Sequence, residues 1–404
     1  MRLGIKKITA LSVIGIATIL SSAKMIEVCS LKSPVSCNPD SCKLRYCLGP
    51  ENYQVNTPGH PLTCNGDWVI ELAGVYWRAQ EDGLEYAICN EVIGSDGTTT
   101  NRGMNNLVDS EFLSPNFSWD VGFKLGVGYN TNCDGWDFGL AWTHFSKGSH
   151  ENVSAEFSDN RTLLPLWSAF QSPNAGNARL LFATNIETFW KLELNLVDFE
   201  LGRLFWTGHR IAIRPFIGFR YASLDQDYTI RHRGGSWENL GNANKSFNNL
   251  VDLQNEYWGV GIRSGLNSIW NVGCGWGLYA DLATSTVYGR FSLDHHEYIR
   301  LAQSPFSKTR IYEAEERFRA SRAMLDLGLG VQWGGLLCDC KYGVTLSLGW
   351  EQHLFFHQNQ MWKVKRIGGQ NGTSLLNSSG ENTYSQSRGT LSTAGWTLKG
   401  SLAF

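Results

Sequence analysis

The sequence predicts an all-β fold: a transmembrane antiparallel up-and-down β-barrel of about ten strands, preceded by a Cys-rich N-terminal segment. Three observations carry this expectation. Residues Phe117 to Tyr129 alternate without a break. Phe117, Trp119, Val121, Phe123, Leu125, Val127 and Tyr129 are bulky and apolar, while Ser118, Asp120, Gly122, Lys124, Gly126 and Gly128 are polar or minimal. One face of such a strand suits hydrocarbon and the other suits water. The same alternation closes the chain, with Trp396, Leu398, Gly400, Leu402 and Phe404 in step. Finally, no stretch after Ala23 approaches the roughly 18 uninterrupted apolar residues of a spanning helix, which leaves a closed barrel as the route across a membrane.

The N-terminus fits the same compartment. Arg2, Lys6 and Lys7 precede the apolar stretch Ile8 to Leu20, and Ser21, Ser22 and Ala23 offer small residues for cleavage. The expected organisation is a secretory signal peptide over 1–23, a Cys-rich periplasmic segment over 24–66 and the barrel over 67–404. Without the three basic residues of the signal, 32 of 35 remain against 37 acidic ones, a formal charge of −5. Nothing is basic enough to argue for nucleic acid. The 43 glycines and 16 tryptophans suit a barrel, where small residues face a lumen and Trp marks the lipid interfaces.

Ten strands are expected near 68–92, 116–130, 136–146, 178–206, 210–224, 251–268, 276–289, 311–333, 341–356 and 389–404. Long polar segments near 93–115, 147–177, 225–250, 290–310 and 357–388 alternate between them with short turns near 131–135, 207–209, 271–275 and 334–340. Short periplasmic turns and long external loops are the asymmetry a bacterial barrel imposes, so both termini are expected in the periplasm. Extra hairpins would raise the count, to 16 at most. Glu81-Asp82-Gly83 could turn the first stretch, and the alternation changes phase near Leu196 to Asp198, where a β-bulge is the preferred reading.

Residues alternating with lipid-facing ones give the pore-lining candidates: Lys191, Glu193, Asp198, Glu200, Arg214, Arg220, Asp326 and Glu351. Both signs are present, so any selectivity would be mild, and the alternative is that the charges pair across the lumen and plug it. The segment Lys147 to Asn177 is the candidate constriction loop, because its apolar knot Leu163-Leu164-Pro165-Leu166-Trp167 is costly to leave in water. It could equally pack on the rim or on a neighbouring subunit.

Ten cysteines form the second pattern. Cys29, Cys37, Cys42, Cys47 and Cys64 crowd the segment before the first strand, and Cys133, Cys274, Cys338 and Cys340 fall in the expected periplasmic turns. Cys89 is the exception, near the outer end. Disulfides persist in such a compartment. The bridges either reach neighbouring molecules and other Cys-rich envelope proteins or close within the chain, since connectivity is not readable from sequence. Cys37, Cys42 and Cys47 lack the short paired spacing of a zinc knuckle.

Enzyme signals are absent at any specific level. Asp294-His295-His296-Glu297 lacks the His-Glu-x-x-His spacing and lies in an expected external loop. The pairs Gly259/Gly261 and Gly328/Gly330 are expected to relieve crowding in the lumen, since the third glycine and helix of a nucleotide loop are missing, and Ser146 to His150 has no triad companions. No metal or cofactor is expected.

Trp77-Arg78-Ala79-Gln80-Glu81-Asp82-Gly83-Leu84, the stretch Trp190 to Arg203, Arg214-Pro215-Phe216-Ile217-Gly218-Phe219-Arg220, Tyr257-Trp258-Gly259-Val260-Gly261 and Leu348-Gly349-Trp350-Glu351-Gln352, in that order, resemble the Legionella and chlamydial major outer membrane protein family. The resemblance covers about residues 67–404. It implies an outer-membrane porin allowing passive diffusion of small hydrophilic solutes, a disulfide-linked role in the cell envelope and a homo-oligomeric state. The rival reading is a non-conducting barrel acting as an adhesin or structural envelope protein.

Overall fold

The computed structural model describes residues 57–63, 67–91, 107, 110–132, 134–155, 161–168, 182–237, 247–338, 341–367 and 381–404. The expected signal peptide, nearly all of the Cys-rich segment and the tips of several long loops lie outside them. Sixteen strands occur: β1 (Asp67–Glu81), β2 (Ala87–Glu91), β3 (Glu111–Leu113), β4 (Trp119–Asn130), β5 (Trp136–Ser154), β6 (Arg161–Pro165), β7 (Asn185–Arg203), β8 (Phe205–Thr207), β9 (Ile211–Arg233), β10 (Phe247–Gly273), β11 (Trp276–Leu301), β12 (Lys308–Leu337), β13 (Tyr342–Phe355), β14 (Trp362–Ile367), β15 (Glu381–Gln386) and β16 (Leu391–Ala403).

Ten of these make the wall, in the order β1, β4, β5, β7, β9, β10, β11, β12, β13, β16, and the pairing of β16 with β1 closes it. All wall pairings are antiparallel. The strand count and the rotation of short turns with long connections follow the alternation in the sequence. Two of the short turns show why they are short. Asp134 and Gly135 have φ of 54° and 75°, and Cys274 and Gly275 have φ of 53° and 80°. Between the paired Gly273 and Trp276, two successive positive φ values give the two-residue hairpin turn whose twist matches that of the strands it joins, whereas the β4–β5 turn closes four residues, with the Thr131 N–H donating to the Trp136 carbonyl.

Strand length departs from expectation. Segments read as loops at 225–233, 247–250, 290–301 and 308–310 are continuous wall strand. β12 alone has 30 residues, whereas crossing the hydrocarbon takes roughly 9–11 tilted residues. The excess all lies on one side of the apolar band. Outward on β9 stand Ile211, Ile213, Pro215, Ile217, Phe219 and Tyr221, followed by Ser223, Asp225, Asp227, Thr229, Arg231 and Arg233. β5 repeats the change: Trp136, Phe138, Leu140 and Trp142 give way to His144, Ser146, Gly148 and His150. Half of each long strand therefore meets lipid and half meets water.

Aromatic side chains mark both edges of the apolar band. Trp68 and Tyr129 contact at the turn end, with ring centroids 5.1 Å apart. At the other edge Tyr76, Trp119, Trp350 and Trp396 form a chain of contacts, with centroids 5.3, 5.9 and 5.5 Å apart. Such belts sit where indole and phenol rings are half in lipid and half in water. Among the described residues no helix is long and apolar enough to cross a membrane.

The hydrophobic core lies inside the barrel, in the half beyond the apolar band. There the inward side chains Trp190, Leu192, Leu194, Leu196, Leu224, Tyr228, Ile230, Val251, Leu253, Tyr257 and Phe291 are all buried. The three-stranded sheet β3-β2-β6 fills the space between them, and Leu84, Tyr86, Leu163 and Trp167 are buried in it or beside it. The turn at Asp82–Gly83 thus leads β2 into the mouth rather than into a further wall hairpin.

Candidate pore lumen

Below the core, between the apolar band's wall strands, the inward face carries charged, polar and small residues around a chamber of about 1310 Å³. Small inward residues make the room. A Cβ at Gly261 would strike the Thr286 carbonyl of the neighbouring strand, and Gly259, Gly328 and Gly330 also face inward, as the lumen reading of these glycines expects.

Charged side chains form a lattice across the top of this chamber. Arg220, 1% exposed, donates to both oxygens of Asp198 at 2.6 and 2.7 Å and lies 2.9 Å from Asp326. Arg263 donates to Glu200 at 3.1 Å and pairs with Asp326. His353 Nδ1 lies 2.7 Å from Asp326. Lys124 Nζ reaches Glu351 at 2.5 Å, although the strands carrying them, β4 and β13, are separated by β1 and β16. Lower down, Arg214 pairs with Asp137 at 2.6 Å and Glu200 at 3.0 Å. Each guanidinium has carboxylates on two sides, the geometry that compensates desolvation of a buried cation.

Six of the eight candidates face this lumen: Asp198, Glu200, Arg214, Arg220, Asp326 and Glu351. Lys191 and Glu193 do not. Their side chains are 57% and 41% exposed on the outer wall, 3.6 Å apart, while Leu192 and Leu194 point in. β7 keeps one register with both neighbours through 196–198, so there is no bulge. The phase change in the sequence is the border between lipid and water on a straight strand. Sequence reasoning missed Lys124, Asp137, Arg263, Asp281, His353 and Lys399. Lys124 and Arg263 were visible, since each alternates with lipid-facing neighbours.

The chamber is capped at one end and partly covered at the other. At the turn end, residues 57–63 run from a bridge between Pro58 and Phe205 to Leu62, whose backbone N–H donates to Asp67 at 2.7 Å. His60 and Leu62 face the chamber from this strap, and burial pushes the His60 imidazole down to about 4. At the other end, the knot at 163–167 folds inward. Leu163 and Trp167 are buried, and Trp167 donates to the Glu85 carbonyl at 2.8 Å and meets Tyr228 edge-on. Tyr228 donates to the Leu84 carbonyl at 2.9 Å. Gln226 donates to Glu81 across the interior at 3.0 Å, and burial pushes the Glu81 carboxyl up to about 8.

The remaining sequence candidates fall as follows. Cys274 is exposed in the β10–β11 turn, Cys338 lies in the β12–β13 turn, and Cys89 is buried beside Arg161. Cys29, Cys37, Cys42, Cys47, Cys64, Cys133 and Cys340 lie outside the described residues. The segment Asp294 to Glu297, expected as a loop, is strand: His295 and Glu297 are buried inside, and Asp294 and His296 face out. On the outer wall, ligand atoms of His296, Glu313 and Glu315 come within 4.8 Å of one another, with Arg310 also paired to Glu313.

Residues 61–403 match the family model described as Legionella pneumophila major outer membrane protein precursor. The chain belongs to this family. Family membership places it in the bacterial outer membrane, in keeping with its closed barrel. No curated protein matches it. Solved structures similar to it include the outer membrane protease OmpT from Escherichia coli, at 9% identity and a TM-score of 0.35, covering 86% of this chain and 97% of that one. Another is a Pseudomonas aeruginosa FadL homologue, at 9% identity and a TM-score of 0.21, covering 84% and 90%. A third is the P. putida toluene transporter TodX, at 9% identity and a TM-score of 0.21, covering 89% and 94%.

Proposed function

We propose that this major outer membrane protein is a porin for small hydrophilic solutes, held here in a closed state. The observation that carries the reading is the chamber of about 1310 Å³ inside the apolar band, into which charged side chains of both signs project, since a barrel serving only as wall or anchor has no use for a charged cavity. Six charged residues predicted from sequence face it, with both signs present, which supports weak selectivity. Passage requires the infolded 161–168 segment with its Tyr228 contact to move and the paired charges of the lattice to part. We assign no catalytic step to the protein.

The orientation we infer puts the short turns and the strap 57–63 in the periplasm and the long half of the wall outside. Exposed Cys274 at the turn end suits disulfides to neighbouring copies or to other Cys-rich envelope proteins.

Conductance of the refolded protein in planar bilayers tests the porin. Intact protein should show rare, small openings, and a variant lacking residues 161–168 should show frequent discrete steps. A variant that stays folded by heat-modifiable migration yet never conducts would overturn it. That outcome would favour the second reading, a non-conducting structural or adhesive barrel, for which the apolar fill of the outer mouth by Trp77, Phe145, Trp190 and Phe291 argues.

A further inference from the structure

The outer wall just beyond the aromatic belt carries its charges unevenly. Tyr288 on β11 is the last aromatic before the change, and the next outward residue is Arg290. Arg290 lies directly opposite Arg319 on β12. Two outward side chains in direct opposition have Cβ atoms about 4.5–5.5 Å apart, and like charges there repel. Neither has an ion-pair partner among the described residues, and both are exposed. One row further out Arg317 stands opposite Ser292, with only a long, exposed contact of 3.8 Å to Glu315. The row of Ser292 and Arg317 continues into an acidic flank: Glu256 stands opposite Ser292 on its other side, and Asp225 and Glu193 follow across β9 and β7.

An unpaired pair of guanidiniums at the level where ring side chains meet lipid headgroups offers a place to an anion from outside the chain. We propose that Arg290, Arg317 and Arg319 form a binding site for the phosphate groups of a phosphorylated lipid in the leaflet surrounding the wall. Guanidinium forks bind phosphate through paired N–H donors, the Ser292 hydroxyl adds a donor in the same row, and Tyr288 beside them rests against the acyl region. The acidic flank repels the same headgroup, so lipid is ordered on β11–β12 and not on β7–β10. The site's place in the outer leaflet rests on the orientation inferred above.

The test uses the full mature protein in phosphatidylcholine vesicles containing diphosphorylated lipid A in both leaflets, so that the result does not depend on the direction of insertion. At about fivefold per arginine, R290Q/R319Q should weaken lipid A binding about 25-fold. R290K/R319K should keep most of it, and K308Q, near the hairpin tip, should bind as the parent. Equal binding by R290Q/R319Q, or equal binding of lipid A stripped of its phosphates, would overturn the site. An oligomer in vesicles free of lipid A that dissociates with the same substitutions would also overturn it, giving the surface to a second copy of the chain. Folding of each variant is read by heat-modifiable migration. Trypsin cleavage at Lys308 on intact cells reads the orientation separately.

Discussion

The two halves of β9 share one ladder and one register, yet they are built inside out relative to each other. From Ile211 to Tyr221 the outward side chains are apolar and the inward ones include Arg214 and Arg220; from Ser223 to Arg233 the outward ones are polar and the inward ones include Leu224, Tyr228 and Ile230. Backbone pairing takes no part in the change, since β9 pairs with β7 and β10 without a register shift. The comparison teaches that solvent alone sets which face is apolar. In lipid the outer face must be hydrocarbon and the interior is free to be wet. In water the wall needs a dry core of its own, which the infolded strands complete.

The largest expected break in this arrangement comes at the border, in the lattice. Arg220→Ala leaves Asp198 and Asp326 short of their main buried cation, and removing one partner of such a group costs about 3–5 kcal/mol. Unfolding in urea, followed by loss of heat-modifiable migration, should show that loss. An unchanged midpoint would mean that Arg263 and His353 suffice to hold both carboxylates.

A paired substitution sharpens the contrast between the halves. Ile217→Arg places a cation in the lipid-facing band and should cost about 2–4 kcal/mol, whereas Asp225→Arg, on the same face beyond the border and between Glu193 and Glu256, should stay within about 0.5 kcal/mol. Equal costs at the two positions would erase the border. Both are measured by the same urea titration in one lipid.

The smallest expected effect is a pH dependence of the water-exposed half. Burial holds the proton on Glu81 up to about 8, opposed by the Gln226 amide and helped by Asp82. The folded state therefore keeps a proton that the unfolded chain gives up near its usual 4.5. Stability is fullest below 4.5 and falls as pH rises from there to about 8. Local opening of the mouth limits the size of the loss. Burial also lowers the imidazoles of His232 and His295 to about 4, and these act in the opposite direction, removing stability as pH falls from 6.5 to 4. Melting curves of the parent and Glu81→Gln should diverge between pH 5 and 8, with the variant flatter; parallel curves would remove Glu81 from this role.

The same border explains what the sequence could and could not convey. Strand number and turn positions were legible because every wall strand alternates, and because turns such as Asp134–Gly135 carry their own conformational signature. Lumen residues were legible only where the outer face is apolar. Arg214 and Arg220 were found beside Ile217 and Phe219, while Lys191 and Glu193 were placed inside because a charge beside leucine suggests a lumen. In the water-facing half that inference reverses, and nothing local to residues 191–194 marks the change. The extensions of β9 to β12 read as loops in sequence for the same reason, since Asp225, Asp227 and Arg231 look like solvent-exposed connection until the buried residues between them are counted as a face. The inward fold of 161–168 depends on Tyr228 and Glu85, which are distant in sequence, so only its apolar cost could be anticipated.

The paired extensions of β9, β10, β11 and β12 also govern how another macromolecule would perceive this side of the protein. Neighbouring outward positions come from different strands, as Asp227, Gln254, Asp294 and Glu315 do in a single row. An antibody raised on the folded barrel would thus read a discontinuous epitope across the rows. A linear peptide such as 290–301 would present alternating inward and outward side chains together and elicit antibodies that fail on the intact surface.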